Sequence, residues 1–110
     1  MVTVAIHDKY LETLSALGDE QAAIETALQR YTIEQITAKI AQLRQRALQY
    51  QEKYGLDYPT FVQRTAQDET FVQYVETRLN PMWETDLADW EFCHKGIEDW
   101  IRNLQNILLT

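Results

Sequence analysis

Two long runs of apolar residues at alternating steps of three and four leave this chain few folds to choose from. The first is Ile33, Ile36, Ile40, Leu43, Ala47, Tyr50 and Tyr54, which holds its spacing for three heptads. The second is Trp83, Leu87, Trp90, His94, Ile97, Ile101, Leu104 and Leu108, which runs without a miss. A seam of this period buries one stripe of a helix against another helix, so the two runs predict a helical hairpin with coiled-coil-like packing. Phe92, Cys93, Trp100 and Ile107 widen the second stripe, and Glu84, Asp86, Asp89, Glu91, Glu98 and Asp99 occupy its opposite side. Gly96 interrupts good helix formers at a cost of about 1 kcal/mol relative to Ala, so a neighbour approaches closely there or the helix bends.

Composition supports helix. Only three Gly and two Pro occur in 110 residues, with 45% apolar content to build a core. No apolar run approaches the roughly 20 residues that a bilayer crossing requires, and the first residues lack the basic start and apolar stretch of a signal peptide. The expected location is therefore the cytoplasm. Cys93 is the single cysteine, which excludes an internal disulfide and fits a reducing compartment.

The stretch between the runs divides into short pieces. Lys53 and Gly55 mark the end of the first long helix, and Leu56-Asp57-Tyr58-Pro59 is a turn leading into a short helix with Phe61, Val62 and Thr65 facing inward. Gln67-Asp68-Glu69 breaks that pattern, and a second short helix follows from Thr70 to Leu79, ending at Asn80-Pro81.

The first 31 residues read as strand, helix, tight turn and helix. Val2, Val4 and Ile6 alternate with Thr3, Ala5 and His7, the period of a strand with one buried face. The chain contains no second strand, so this one would pair with a copy of itself across a two-fold axis, making a homodimer ribbon of Val2, Thr3, Val4, Ala5 and Ile6. Tyr10, Leu14 and Leu17, with Leu11 beside them, form the stripe of the next helix, and Gly18 stops it. Asp19 then caps a helix whose stripe is Ile24, Ala27, Leu28 and Tyr31. Thr32-Ile-Glu-Gln35 has the form of a capping box, which predicts a break at 31 to 32. The expected division is thus a dimerisation segment at 1–31 and a helical partner-binding segment at 32–110. The fold class is mainly α with one short N-terminal β-strand.

These residues, chiefly Thr-Val-Ala-Ile-His-Asp-Lys-Tyr-Leu-Glu-Thr-Leu (3 to 14), Ala-Leu-Gly-Asp (16 to 19) and Ala-Ile-Glu-Thr-Ala-Leu-Gln-Arg-Tyr (23 to 31), resemble the ribbon-helix-helix family of small dimeric repressors and antitoxins. The resemblance implies that outward strand residues enter the major groove of DNA, here Thr3 and Ala5 with His7 at the end. None is Arg, Lys, Asn or Gln, the residues with suitable geometry for base readout. The resemblance also sets the second helix's N-terminus against phosphate, where this chain has Asp19-Glu20, which repels it. Any DNA contact would therefore be weak. Charge agrees, since the net is −7, with six Lys/Arg against seven Asp/Glu in residues 1–55 and four against ten in 56–110, and no polybasic run.

Chemistry has little to work with. Glu91-Phe-Cys-His94 has the Glu-x-x-His spacing of di-iron bundles, but such sites need further Glu ligands, and the seam of the first run offers Ile, Leu, Ala and Tyr. His94 is expected in a core or interface, Cys93 is expected as a small apolar side chain, and no metal or cofactor is called for. No phosphate loop or nucleophile elbow occurs, so the chain reads as a non-enzyme.

The distinctive feature of the second half is three Trp on an acidic helix. Trp100 lies beside the seam and would anchor a partner, with Glu84, Asp86, Asp89, Glu91, Glu98 and Asp99 steering a basic surface toward it. From Tyr54-Gly55 through Phe61 to Trp-Glu at 83–84 or 90–91, the chain resembles the C-terminal halves of small bacterial antitoxins encoded beside a toxin. That resemblance implies an antitoxin of a bacterial type II toxin–antitoxin pair, whose partner is a basic, ribonuclease-type toxin. The alternatives are a homodimeric structural adaptor without nucleic acid, and a stand-alone transcriptional repressor.

Overall fold

A computed structural model describes residues 5–109 and consists of helices. They are α1 (Asp8–Leu17), α2 (Glu20–Tyr54), α3 (Tyr58–Gln67), α4 (Glu69–Tyr74) and α5 (Trp83–Leu109), with a π-helical turn over Val75–Leu79. The chain divides into two compact units, residues 1–35 and 36–110.

The expected fold class, mainly α with an N-terminal strand, is corrected to helices alone among the described residues. Val2, Thr3 and Val4 lie outside the described residues, Ala5 and Ile6 are neither helical nor paired, and no strand occurs among the described residues. The physical reason is the one that made the segment unusual at the outset. A lone strand has no ladder to satisfy its N–H and C=O groups, and nothing among the described residues supplies one.

The break expected at 31 to 32 is also absent, since α2 passes through it as one helix of 35 residues. Thr32 does not cap: its hydroxyl donates to the Leu28 carbonyl at 2.7 Å, a bond that a serine or threonine makes inside a helix. Neither Gly nor Pro occurs between Asp19 and Tyr54, so nothing else stops propagation.

In the first unit α1 runs from Asp8 and ends at Gly18, and α2 begins after Asp19, whose carboxylate accepts from the Gln21 N–H at 2.9 Å. Leu11, Leu14, Ala23 and Ile24 are half-buried, but no described residue before Ile36 is buried.

The second unit carries the core. The second part of α2 and α5 pack side by side along the two heptad runs, burying Ile36, Ile40 and Leu43 on one and Trp90 and Cys93 on the other. Gly96 is explained by close approach: a Cβ there would meet Leu43 Cδ1 at 2.9 Å. At the connected end of the hairpin α3, α4 and the π-helical turn close over Tyr54, Phe61, Phe71, Val75, Trp83 and Trp90. The short segments are placed by caps. Gly55 adopts φ +74, which favours glycine, and ends α2. Asp57 accepts from the Thr60 N–H at 2.9 Å to start α3, and Asp68 accepts from the Phe71 N–H at 3.1 Å to start α4. The Asn80 N–H reaches back five residues to the Val75 carbonyl at 2.8 Å, which widens the turn. Phe61 faces inward as expected and Thr65 is half-buried, whereas Val62 is exposed.

Candidate functional site

The acids of α5 do two different jobs. Asp86 and Asp89 lie half-buried on the side facing α2 and tie the two helices together. Asp86 Oδ2 receives three donors: Lys53 Nζ at 2.7 Å, the Tyr54 hydroxyl at 2.6 Å and Asn80 Nδ2 at 3.1 Å. Asp89 pairs with Arg46 and accepts from the Tyr50 hydroxyl at 2.6 Å. Burial works against the Asp86 carboxylate, but the bonds from Lys53, Tyr54 and Asn80 outweigh it and hold its pKa below the ordinary value. Both residues were expected to steer a partner. Their placement makes them internal struts as well.

The remaining acids face outward. Glu91 pairs with Lys95 at 2.9 Å, Glu98 lies 3.5 Å from His94, and Asp99 meets Arg102 at 3.2 Å, all along the exposed side of α5. Glu84 is exposed in the first turn of the same helix. These pairs are between exposed helix neighbours and are screened by water, so a partner's cations can compete for the carboxylates.

Trp83 and Trp90 belong to the core, while Trp100 is half-buried. It lines a groove of about 380 Å³ together with Lys39, Leu43, Arg46, Phe92 and Gly96. The heptad therefore separates the three Trp correctly. It does not reveal that cations from α2 flank the third.

The phenols carry a consequence for pH. The Tyr50 hydroxyl is pushed well above its ordinary value by its bond to Asp89 and by burial. That of Tyr54 is pushed up to about 12 by burial and its bond to Asp86. A folded pKa above the unfolded value of 10.0 gives stability that is complete below pH 10 and is lost as pH rises through the folded value. The denaturant midpoint should therefore fall between about pH 10 and 12. Tyr54→Phe should flatten that fall; an equally steep loss in the variant would show that the phenol does not couple to folding.

His94 stacks on Tyr58 with centroids 4.6 Å apart, a contact that no periodicity predicts because Tyr58 opens α3, outside both heptad runs. No group of three or more His, Cys, Asp or Glu able to hold a metal gathers among the described residues. Cys93 is buried, and that burial pushes its thiol up, away from the reactive thiolate. Of the candidate DNA contacts, Thr3 lies outside the described residues, and Ala5 and His7 are exposed. The N-terminus of α2, where a phosphate would sit, already holds the Asp19 carboxylate.

The first unit presents the other candidate surface. Tyr10, Leu17, Leu28 and Tyr31 are 57%, 77%, 50% and 63% exposed. Residues 1–35 hold two Lys/Arg against six Asp/Glu, and none of these acids forms an ion pair among the described residues. The sequence assigns these stripes to the core of a dimer; in the single chain they are exposed beside Asp8, Glu12, Glu20, Glu25 and Glu34.

Comparison with protein families, curated proteins and solved structures finds no match to the chain. No helix among the described residues is long and apolar enough to cross a membrane.

Proposed function

We propose that this chain acts by binding another protein, as an antitoxin-like chain that occludes a basic, ribonuclease-type partner and performs no chemistry of its own. The observation that carries this reading is the first unit: two amphipathic helices with Tyr10, Leu17, Leu28 and Tyr31 exposed among unpaired carboxylates. A segment in which none of the described residues, 5–35, is buried gains little from folding alone and gains substantially when a partner covers the stripe. The surplus of acids makes a basic surface the complementary cover, and the outward acids of α5 add attraction at longer range. Binding of this kind works by occupying the surface on which the partner would hold RNA.

The test is co-expression with a small basic protein encoded beside the gene. A stoichiometric complex should co-purify, and RNA cleavage by that protein should stop in it. Leu28→Asp should weaken the complex by about thirtyfold, the equivalent of roughly 2 kcal/mol for a central interface contact. The same change should leave unfolding of the second unit within about 0.5 kcal/mol, because Leu28 is half-exposed. If no basic neighbour binds, or if Leu28→Asp leaves binding intact, the reading fails. A chain that sediments alone as a dimer through this stripe would support the adaptor instead.

A further inference from the structure

The groove beside Trp100 differs in sign from the rest of this acidic protein. The chain carries a net charge of −7, yet the charged residues lining this groove are Lys39 and Arg46, and no carboxylate lines it. Lys39 has no acid within helix reach, since the residues three and four away are Gln35, Ile36, Gln42 and Leu43. Arg46 is held by Asp89, and its guanidinium lies 5.8 Å from the centre of the Phe92 ring, so its position is set before anything binds.

The floor and walls are apolar. Phe92 is 62% exposed and Trp100 is half-buried, and Gly96 between them lets Leu43 of α2 come close enough to form the floor between the two rings. Trp, Arg and an exposed aromatic around a groove are the side chains that dominate binding energy at protein interfaces. The volume of about 380 Å³ accepts one large side chain and the backbone that carries it, not a whole domain.

We infer that this groove docks an acidic peptide segment of another protein, its aromatic or large aliphatic side chain seated between Phe92 and Trp100 and its flanking carboxylates on Lys39 and Arg46. A basic segment would meet Lys39, which forms no ion pair among the described residues, and an Arg46 guanidinium that Asp89 already orients and partly neutralises. A nucleic acid would need more clustered Lys and Arg than two residues provide, because its affinity comes from releasing many counterions. The surface is distinct from the acidic stripe of the first unit and selects the opposite charge, so the inference goes beyond the proposed occlusion of a basic partner and stands without it.

The test uses the full chain, labelled with nitrogen-15, titrated with the synthetic peptide EELFEE, its charge-reversed counterpart KKLFKK and a single-stranded oligonucleotide. EELFEE should shift the Gly96 amide and the Trp100 indole N–H with a midpoint on the order of 0.1–1 mM, as a small interface allows. Lys39→Glu should weaken that binding by at least about fivefold, the effect of reversing one charge at contact distance near a surface. Phe92→Ala, at an exposed position, should weaken it similarly while the fold is kept. The inference is overturned if KKLFKK shifts the same resonances as strongly, if the oligonucleotide does so, or if neither variant changes the EELFEE midpoint. It is also overturned if these resonances shift on dilution without peptide, because the occupant is then a second copy of this chain.

Discussion

Trp90→Ala is expected to cost about 3–5 kcal/mol of stability, the range for removing a buried aromatic. Trp90 is 2% exposed and sits at the centre of a ring cluster. Its ring centre lies 5.4 Å from Phe61, 5.6 Å from Tyr58, 5.8 Å from Tyr50 and 6.2 Å from Tyr54. Truncation therefore opens a cavity between α2, α3 and α5 and breaks four aromatic contacts, each worth about 0.5–1.5 kcal/mol beyond its buried area. The relaxation that would refill the space is blocked by the same neighbours. Chemical denaturation should show the midpoint falling sharply, with the second unit molten or unfolded at physiological temperature. Trp100→Ala, at a half-buried position on the groove, should lose much less. Equal losses for the two variants would mean that all three Trp act as one core.

The second large effect is expected at Asp86. Asp86→Ala removes the acceptor of three donors at once and leaves the Tyr54 hydroxyl, on a residue only 5% exposed, with no acceptor for its proton, although Asn80 Nδ2 still donates to its oxygen. A buried hydroxyl deprived of its bond costs about 1–3 kcal/mol, and loss of the charge-assisted bond to Lys53 adds to it. A total of about 2–4 kcal/mol follows. Tyr54→Phe should rescue part of this loss, since removing both partners is cheaper than removing one, and a double-mutant cycle measures that coupling. An additive cycle would show that Asp86 contributes through Lys53 and Asn80 and not through Tyr54. The carboxylate also sets an acid limb. Because its folded pKa lies below the ordinary value of 3.8, its contribution is present above that value and is lost as pH falls through the folded one. Asp86→Ala should abolish that part of the acid-induced loss.

Heptad spacing was sufficient to place α2 and α5 side by side, because a stripe of period three and a half on each of two helices has few other ways to be buried. It also put Trp83 and Trp90 inside. Breaks at Gly55, at Asp68 and at Asn80-Pro81 were legible because each rests on a local signal: a positive φ at glycine, a side-chain cap, and proline. Two local signals misled. Thr32 has the spacing of a capping box, but its hydroxyl is satisfied by the Leu28 carbonyl in a helix that has no reason to stop. The alternation at residues 2–6 has the period of a strand, but its described part, Ala5 and Ile6, is unpaired, because a strand exists only with a partner and periodicity cannot supply one.

The acids of α5 show the same limit from the other side. Sequence placed all six opposite the apolar seam and so treated them as one surface. In the folded chain Asp86 and Asp89 come within reach of Lys53, Tyr54, Arg46 and Tyr50, some 32 to 43 residues earlier, and become part of the helix pairing. Residues so far apart in the chain meet only through the register of the hairpin, which depends on the length of α3, α4 and the π-helical turn.

What the sequence determined by itself was the helical class, the pair of seams and the identity of the buried Trp, since each follows from periodicity within one helix. Only tertiary structure decided which carboxylates are internal, that Leu43 fills the space at Gly96, and that Lys39 and Arg46 turn the Trp100 groove cationic in an acidic protein. Those outcomes depend on which residue of α2 lies across from which residue of α5, and the free energy of that choice is spread over contacts between positions that no local pattern links.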